Sequence, residues 1–214
     1  MNYQRIKLTY KLDALEPVFS WKTMDLHYNR LHKNYETKLN QTLKGTNWEK
    51  KHPLLKDLMS DLDDIPKEIK EAVRFFGGGL INHNFFFSIL APKDTKKVIS
   101  KNLQQFVDQE FSGNQVEKEP LDCLKDQLIE SALKIRGSGW TWLVINKKGK
   151  AEIINTINQD NPWSLHLYPL IGLDIWEHAY WLDYYEDRKS YVENMVNHLL
   201  DWEKISEFYL KYVI

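Results

Sequence analysis

From Met24 through His27, Leu31, Tyr35 and Leu39, apolar and aromatic positions recur at the spacing of one helix face, and Ser20 or Thr23 stands where an N-cap would begin the run. This predicts a helix to about residue 45, entered through a turn over residues 13–20 that contains Pro17. The stretch from Asn47 to Pro66 is polar and broken by Pro53, so it reads as a connection. A second helix is predicted from about Lys67 through Ala72 and Phe75, with Gly77, Gly78 and Gly79 either interrupting it or letting a neighbour pack closely before the apolar INHNFFFSIL. Ala91 to Asp94 forms the best linker, dividing the chain into a helical hairpin at 1–92 and a second domain at 93–214.

Beyond that linker, residues 95–111 and 120–135 carry helical amphipathicity on either side of the turn SGN. At Gly137 the period changes to that of strands: GSGWTWLVIN, a KKGK turn, then AEIINTINQ, and after a gap HLYPLIGLDIW, which ends a third strand at Asp174. Tyr191 to Leu200 and Trp202 to Tyr212 return to helix.

A chain of 214 residues, 43% hydrophobic and 28% charged, can bury a core, and it has no apolar run of membrane-spanning length. Its 29 basic and 30 acidic side chains nearly cancel, so no overall field points to nucleic acid or an anionic membrane, and any anionic substrate must be drawn by local charge. Cys123, the only cysteine, excludes an intrachain disulfide framework and fits a reducing compartment. No secretory segment is expected. Arg5, Lys7 and Lys11 without an acid in the first twelve residues suit either organelle targeting or a solvated N-terminal strand. What stands out is the aromatic content of 8 Trp, 11 Tyr and 9 Phe, enough to line a pocket as well as a core.

The chemistry gathers in DIWEHAYWLDY, residues 174–184, where Asp174 and His178 lie four apart among aromatics. A carboxylate there needs a partner, and the two residues suit either a shared cation or a salt bridge beside a core histidine. His27 and Tyr35, two turns apart on the first helix, can reach a common pocket. The triple glycine is not a phosphate loop, since no Lys-Ser/Thr follows it.

Taken in order, YKLDALEP, MDLHYNRLHKNY, GGG-x-x-NH, GSGWTWL, NQDNP and DIWEHAYWLDY make nearly the whole chain resemble the iron/manganese superoxide dismutases. The resemblance implies an α+β fold: an N-terminal α-helical hairpin and a C-terminal α/β domain with a small three-stranded antiparallel sheet, the metal lying between them. It implies one manganese ion per chain, or iron, held by His27, His83, Asp174 and His178, with superoxide as substrate. Gln159 matches the glutamine that tunes metal-bound solvent in the manganese type, and Tyr35 its gateway tyrosine; Gly79 stands where the iron type usually carries its glutamine. Trp140, Trp142 and Trp176 resemble the aromatic wall of the pocket, while Arg188 and Arg30 would supply charge to the substrate funnel. Glu177 resembles the residue that crosses a twofold interface to the neighbour's His178, which implies a homodimer, or a heterodimer with a paralogue. The expected compartment is the mitochondrial matrix rather than the cytoplasm.

Leu31 stands where the family usually has a gateway histidine that pairs with a tyrosine across the dimer, matched here to Tyr184, and Leu80 and Phe87 replace a further histidine and a tryptophan. These departures support a rival expectation: a structural subunit of this fold in a larger assembly, such as a mitochondrial ribosome, where contact with RNA would become possible. A hydrolytic zinc enzyme fits less well, because its general base would have to be Glu177, which the resemblance places at an interface.

Overall fold

In the computed structural model, which describes residues 2–95, 97–112 and 118–213, the first hairpin helix begins where Ser20 Oγ accepts the Thr23 amide at 3.2 Å. It runs without a break through Trp21–Met24, a π-helical stretch Asp25–His32, and Lys33–Leu43. The π stretch changes which side chains face inward. Met24, His27, Tyr35 and Leu39 are buried as the spacing predicts, but Leu31 is only half-buried and His32 is fully enclosed. A turn wider than 3.6 residues advances the buried face by one position, so the strictly α-helical stripe fails there.

The connection over 47–66 is not plain loop: it holds the helical turns Trp48–Lys51, Leu55–Ser60 and Leu62–Asp64, and it buries Leu58, Met59 and Ile65. The second hairpin helix, Lys67–Ser88, passes uninterrupted through the three glycines. They serve close packing instead. A Cβ on Gly77 would meet Met59 Sδ at 2.7 Å, one on Gly78 would run into the backbone carbonyl of Gln159, and one on Gly79 into the Tyr35 ring.

Three strands follow, β1 (Gly139–Ile145), β2 (Ala151–Ile157) and β3 (Tyr168–Asp174), in the antiparallel order β2-β1-β3. Every residue of β1 is buried, as a central strand covered on both faces must be. Its register sets Trp140 opposite Asp174 and Trp142 opposite Gly172. The helix predicted from residue 95 starts only at Lys101, because Ser100 is extended: its hydroxyl caps the Leu103 amide and its own amide donates to Ser206 Oγ at 2.9 Å. Helix Pro120–Leu133 follows, and the intervening turn falls largely on residues outside those described. Helix Arg188–His198 packs on Pro120–Leu133, and Trp202–Val213 lies against β3 and the Lys101–Phe111 helix.

The two halves share one core, in which Phe85, Phe86 and Phe87 of the hairpin pack with Trp140, Trp142 and Tyr191. Backbone bonds from Ala91 N to Leu199 O and from Asp201 N to Ile89 O, both 2.8 Å, tie the linker to the last two helices. Ahead of the hairpin an extended strap is held by side chains: Asn40 bonds both backbone groups of Tyr3, and Asn84 accepts the Ile6 amide at 2.7 Å. Arg5 donates to Tyr28 O at 2.8 Å, so this basic residue has work within the fold.

The glycines predict a graded response. Gly78→Ala forces backbone against backbone and should cost about 1–3 kcal/mol. Gly77→Ala meets only the end of a flexible methionine, and its helix-propensity gain of up to about 1 kcal/mol offsets the contact. Urea unfolding of the metal-free chain should therefore rank Gly78→Ala well below Gly77→Ala in stability.

Candidate metal centre

Four side chains from four places in the chain meet at the boundary between the halves. His27 comes from the π stretch of the first hairpin helix, His83 from the second, Asp174 from the end of β3, and His178 from the 3-10 turn Glu177–Ala179. Their ligand atoms lie within 4.8 Å of one another. Asp174 Oδ2 is 3.2 Å from His27 Nε2, 3.3 Å from His178 Nε2 and 3.5 Å from His83 Nε2. Those three nitrogens and that oxygen are buried without a protein hydrogen-bond partner. Buried polar atoms are rarely left so, and four of them aimed at one point fit a metal ion.

The protonation states suit a metal as well. His83 Nδ1 lies 2.7 Å from Gly79 O, an acceptor only, so the proton sits on Nδ1 and the Nε2 lone pair faces the centre. Burial lowers the pKa of His27 and drives that of His83 well down, keeping both imidazoles neutral. Burial alone would raise the pKa of Asp174, but His178 and His27 outweigh it and hold the carboxyl ionised. Its other oxygen accepts the Trp176 amide at 2.9 Å. Three imidazoles that give their Nε2 lone pairs to a cation, with one carboxylate, would bring a single negative charge and leave a divalent ion with a net positive one.

Gln159 is 1% exposed, and its neighbours settle how its amide is turned. Trp140 Nε1–H, which can only donate, lies 3.2 Å from Oε1, and Asn82 Nδ2 donates to the same oxygen at 3.1 Å. Nε2 must therefore face the other way, where it donates to Tyr35 OH at 3.2 Å. The Tyr35 hydroxyl keeps its own proton, because burial raises its pKa. Trp140 also sits edge-on to His83 with ring centroids 5.2 Å apart, Trp142 stacks behind Trp140 at 5.4 Å, and Trp176 stacks on His178 at 5.3 Å. His178, with 18% of its side chain exposed, is the most open of the four ligand residues.

Other residues singled out in the sequence lie further from this cluster or are engaged elsewhere. Arg188 donates to Tyr180 OH at 3.1 Å and to Ile135 O at 2.6 Å, and Arg30 is largely exposed near Asp25. Glu177 is exposed. Tyr184 is half-buried, its hydroxyl donating to Val18 O at 2.9 Å, and the exposed aromatic of that helical turn is Trp181. Leu80 and Phe87 are buried, Phe87 edge-on to His27 at 5.0 Å. Sequence reasoning missed two residues here. Asn82, in the NH pair before the ligand His83, orients Gln159, and His32, hidden by the π turn, stacks on His83 at 5.5 Å with its pKa lowered by burial to about 3.

Comparison with known families then decides the kinship. Residues 2–91 match the alpha-hairpin domain of the iron/manganese superoxide dismutases, and residues 100–208 match their C-terminal domain. The chain belongs to the iron/manganese superoxide dismutase family. Family members act on superoxide, and the ligand cluster lies where the two superoxide dismutase domains meet.

The centre predicts how acid acts. Unfolded imidazoles take up protons below about pH 6.5, while buried His27 and His83 resist. The unfolded chain then binds more protons, so stability falls as pH drops from that point, and protonation of Asp174 at still lower pH adds to the loss. Bound metal, followed by elemental analysis after gel filtration, should persist somewhat below pH 6.5 and be released on further acidification. Asp174→Asn should abolish metal retention at neutral pH.

Proposed function

We propose that the chain is an active superoxide dismutase, disproportionating superoxide to dioxygen and hydrogen peroxide with one manganese ion per chain. The observation that carries this is the buried set of four unpartnered ligand atoms with the Tyr35–Gln159 pair bonded beside it. A redox metal there supplies the one-electron exchange with superoxide. The protein does the rest. Asp174 and the three imidazoles fix the charge of the site, and its net positive charge with a divalent ion favours an anionic substrate. Gln159, its amide turned by Trp140 and Asn82, presents Nε2–H on the side of Tyr35, and Tyr35 holds a phenolic proton that can be passed on. The surrounding indoles exclude water, so these dipoles act in a medium of low polarity.

Manganese is favoured over iron because the glutamine reaches the centre from the turn after β2, while the hairpin position that would carry it in the iron type is Gly79, closed off by the Tyr35 ring. We further propose a dimer formed around exposed Glu177, where Trp181 and Leu182 add exposed apolar area.

The reading is tested on the purified chain by elemental analysis and an assay of superoxide removal. Near-stoichiometric manganese with metal-dependent activity is expected; a chain that takes up neither manganese nor iron and leaves superoxide untouched would sink it. Gln159→Ala should retain metal yet lose activity by roughly 10²-fold, as loss of an oriented donor does elsewhere. Sedimentation equilibrium should show a dimer that Glu177→Ala weakens.

A further inference from the structure

Gln159 sits in a turn that three residues of the second hairpin helix grip, and these residues are spaced four apart. Arg74, Gly78 and Asn82 therefore form one stripe along that helix. Asn82 Nδ2 donates to both Gln159 O and Gln159 Oε1 at 3.1 Å. Gly78 lets the helix backbone lie directly against Gln159 O. Arg74 forks onto the next residue, with Nε donating to Asp160 Oδ1 at 2.7 Å and Nη2 to Oδ2 at 2.6 Å.

The turn is also held from its own side. Thr156 Oγ1 donates to Asp160 O at 2.6 Å and is itself bonded by Trp142 Nε1 at 2.9 Å, and Asn161 Nδ2 reaches Gln159 O at 3.3 Å. Asn158, just before Gln159, takes a left-handed φ of 51° and gives its carbonyl to Trp176 Nε1 at 3.0 Å. With Asn82 and Gly78 both acting at Gln159 itself, the turn could still rock about that point. Among the contacts that the second hairpin helix makes with the turn, the Arg74–Asp160 fork is the one displaced from that pivot, and it adds to the restraint that Thr156 places on Asp160 O. It also walls a cleft of about 170 Å³ that Glu71 and Phe75 line and that leads to Gln159.

We propose that Arg74 is a positioning residue for Gln159, acting through Asp160: the paired fork sets the angle at which the Gln159 amide meets Trp140, Tyr35 and the metal centre. The inference deepens the dismutase reading and rests on it for the consequence at the metal, but the positioning itself is a property of the protein alone. The pair is partly solvated, Arg74 being 43% and Asp160 27% exposed, so its worth as a stabilising bridge is small. Its planar two-bond geometry nevertheless fixes direction in a way that a single contact cannot.

The Trp140 indole proton, donated to Gln159 Oε1, reports on this angle. In the full chain without metal, followed by NMR hydrogen exchange, Arg74→Gln and Asp160→Asn should each speed exchange of that proton about fivefold, the scale of an exposed paired contact. The backbone amides of Leu143 and Ile171, deep in the sheet, should not change, and the exchanged pair Arg74→Asp with Asp160→Arg should restore much of the protection. In the manganese-loaded chain, both single variants should move the midpoint potential in the same direction as Gln159→Ala, by less. Unchanged Trp140 exchange in both variants overturns the proposal, and so does an equal rise at Leu143 and Ile171, which would mean general loosening. If the wild-type chain proves inactive towards superoxide, the dismutase reading fails, while the exchange result still decides whether Arg74 positions Gln159.

Discussion

A carboxylate sealed in the interior with three imidazoles around it is the constraint on which the rest depends. Asp174 lies at the end of a buried strand, fully enclosed, and bonding to one backbone amide satisfies only one of its oxygens. An uncompensated buried charge costs several kcal/mol, so the other oxygen needs a cation. The surrounding structure brings three lone pairs to the same point to hold one. Two come from the hairpin and one from beside Asp174 itself, so neither half completes the site alone. A metal ion bound there links the halves through ligand bonds as well as through their shared core.

The same economy appears around the ligands. The second hairpin helix brings His83 to the candidate metal centre, fixes that ring's tautomer through the carbonyl of Gly79 one turn earlier, and places Asn82 against Gln159. Its glycines are what make this possible, because a side chain at 78 or 79 would push away the Gln159 turn or the Tyr35 ring. A run that weakens an isolated helix is kept here because the helix must approach two neighbours more closely than any Cβ allows.

Much of this was legible in the sequence. The strands announced themselves by composition and period, and the buried cluster of Asp174, His178, His27 and His83 by the family resemblance. The failures have physical causes. The π turn in the first helix is a departure of one residue from a 3.6 period, which no apolar pattern of that length reveals, and so His32 was overlooked while Leu31 was given its place on the buried face. Ser100 delayed a helix through a contact with Ser206, 106 positions away, and Asn82 drew its importance from Gln159, 77 positions away.

The substitutions at Leu80 and Phe87 act on the centre through its medium. Both are buried, and Phe87 sets hydrocarbon directly against His27, next to the buried imidazole of His32. Lower local polarity strengthens the attraction between Asp174 and a bound cation and raises the cost of protonating His27 or His83. In the proposed reaction the groups placed to pass a proton are Tyr35, bonded to Gln159, and the more open edge at His178 and Trp176. The proposed dismutase chemistry thus turns on Gln159, bonded to Tyr35 and oriented by the turn after β2.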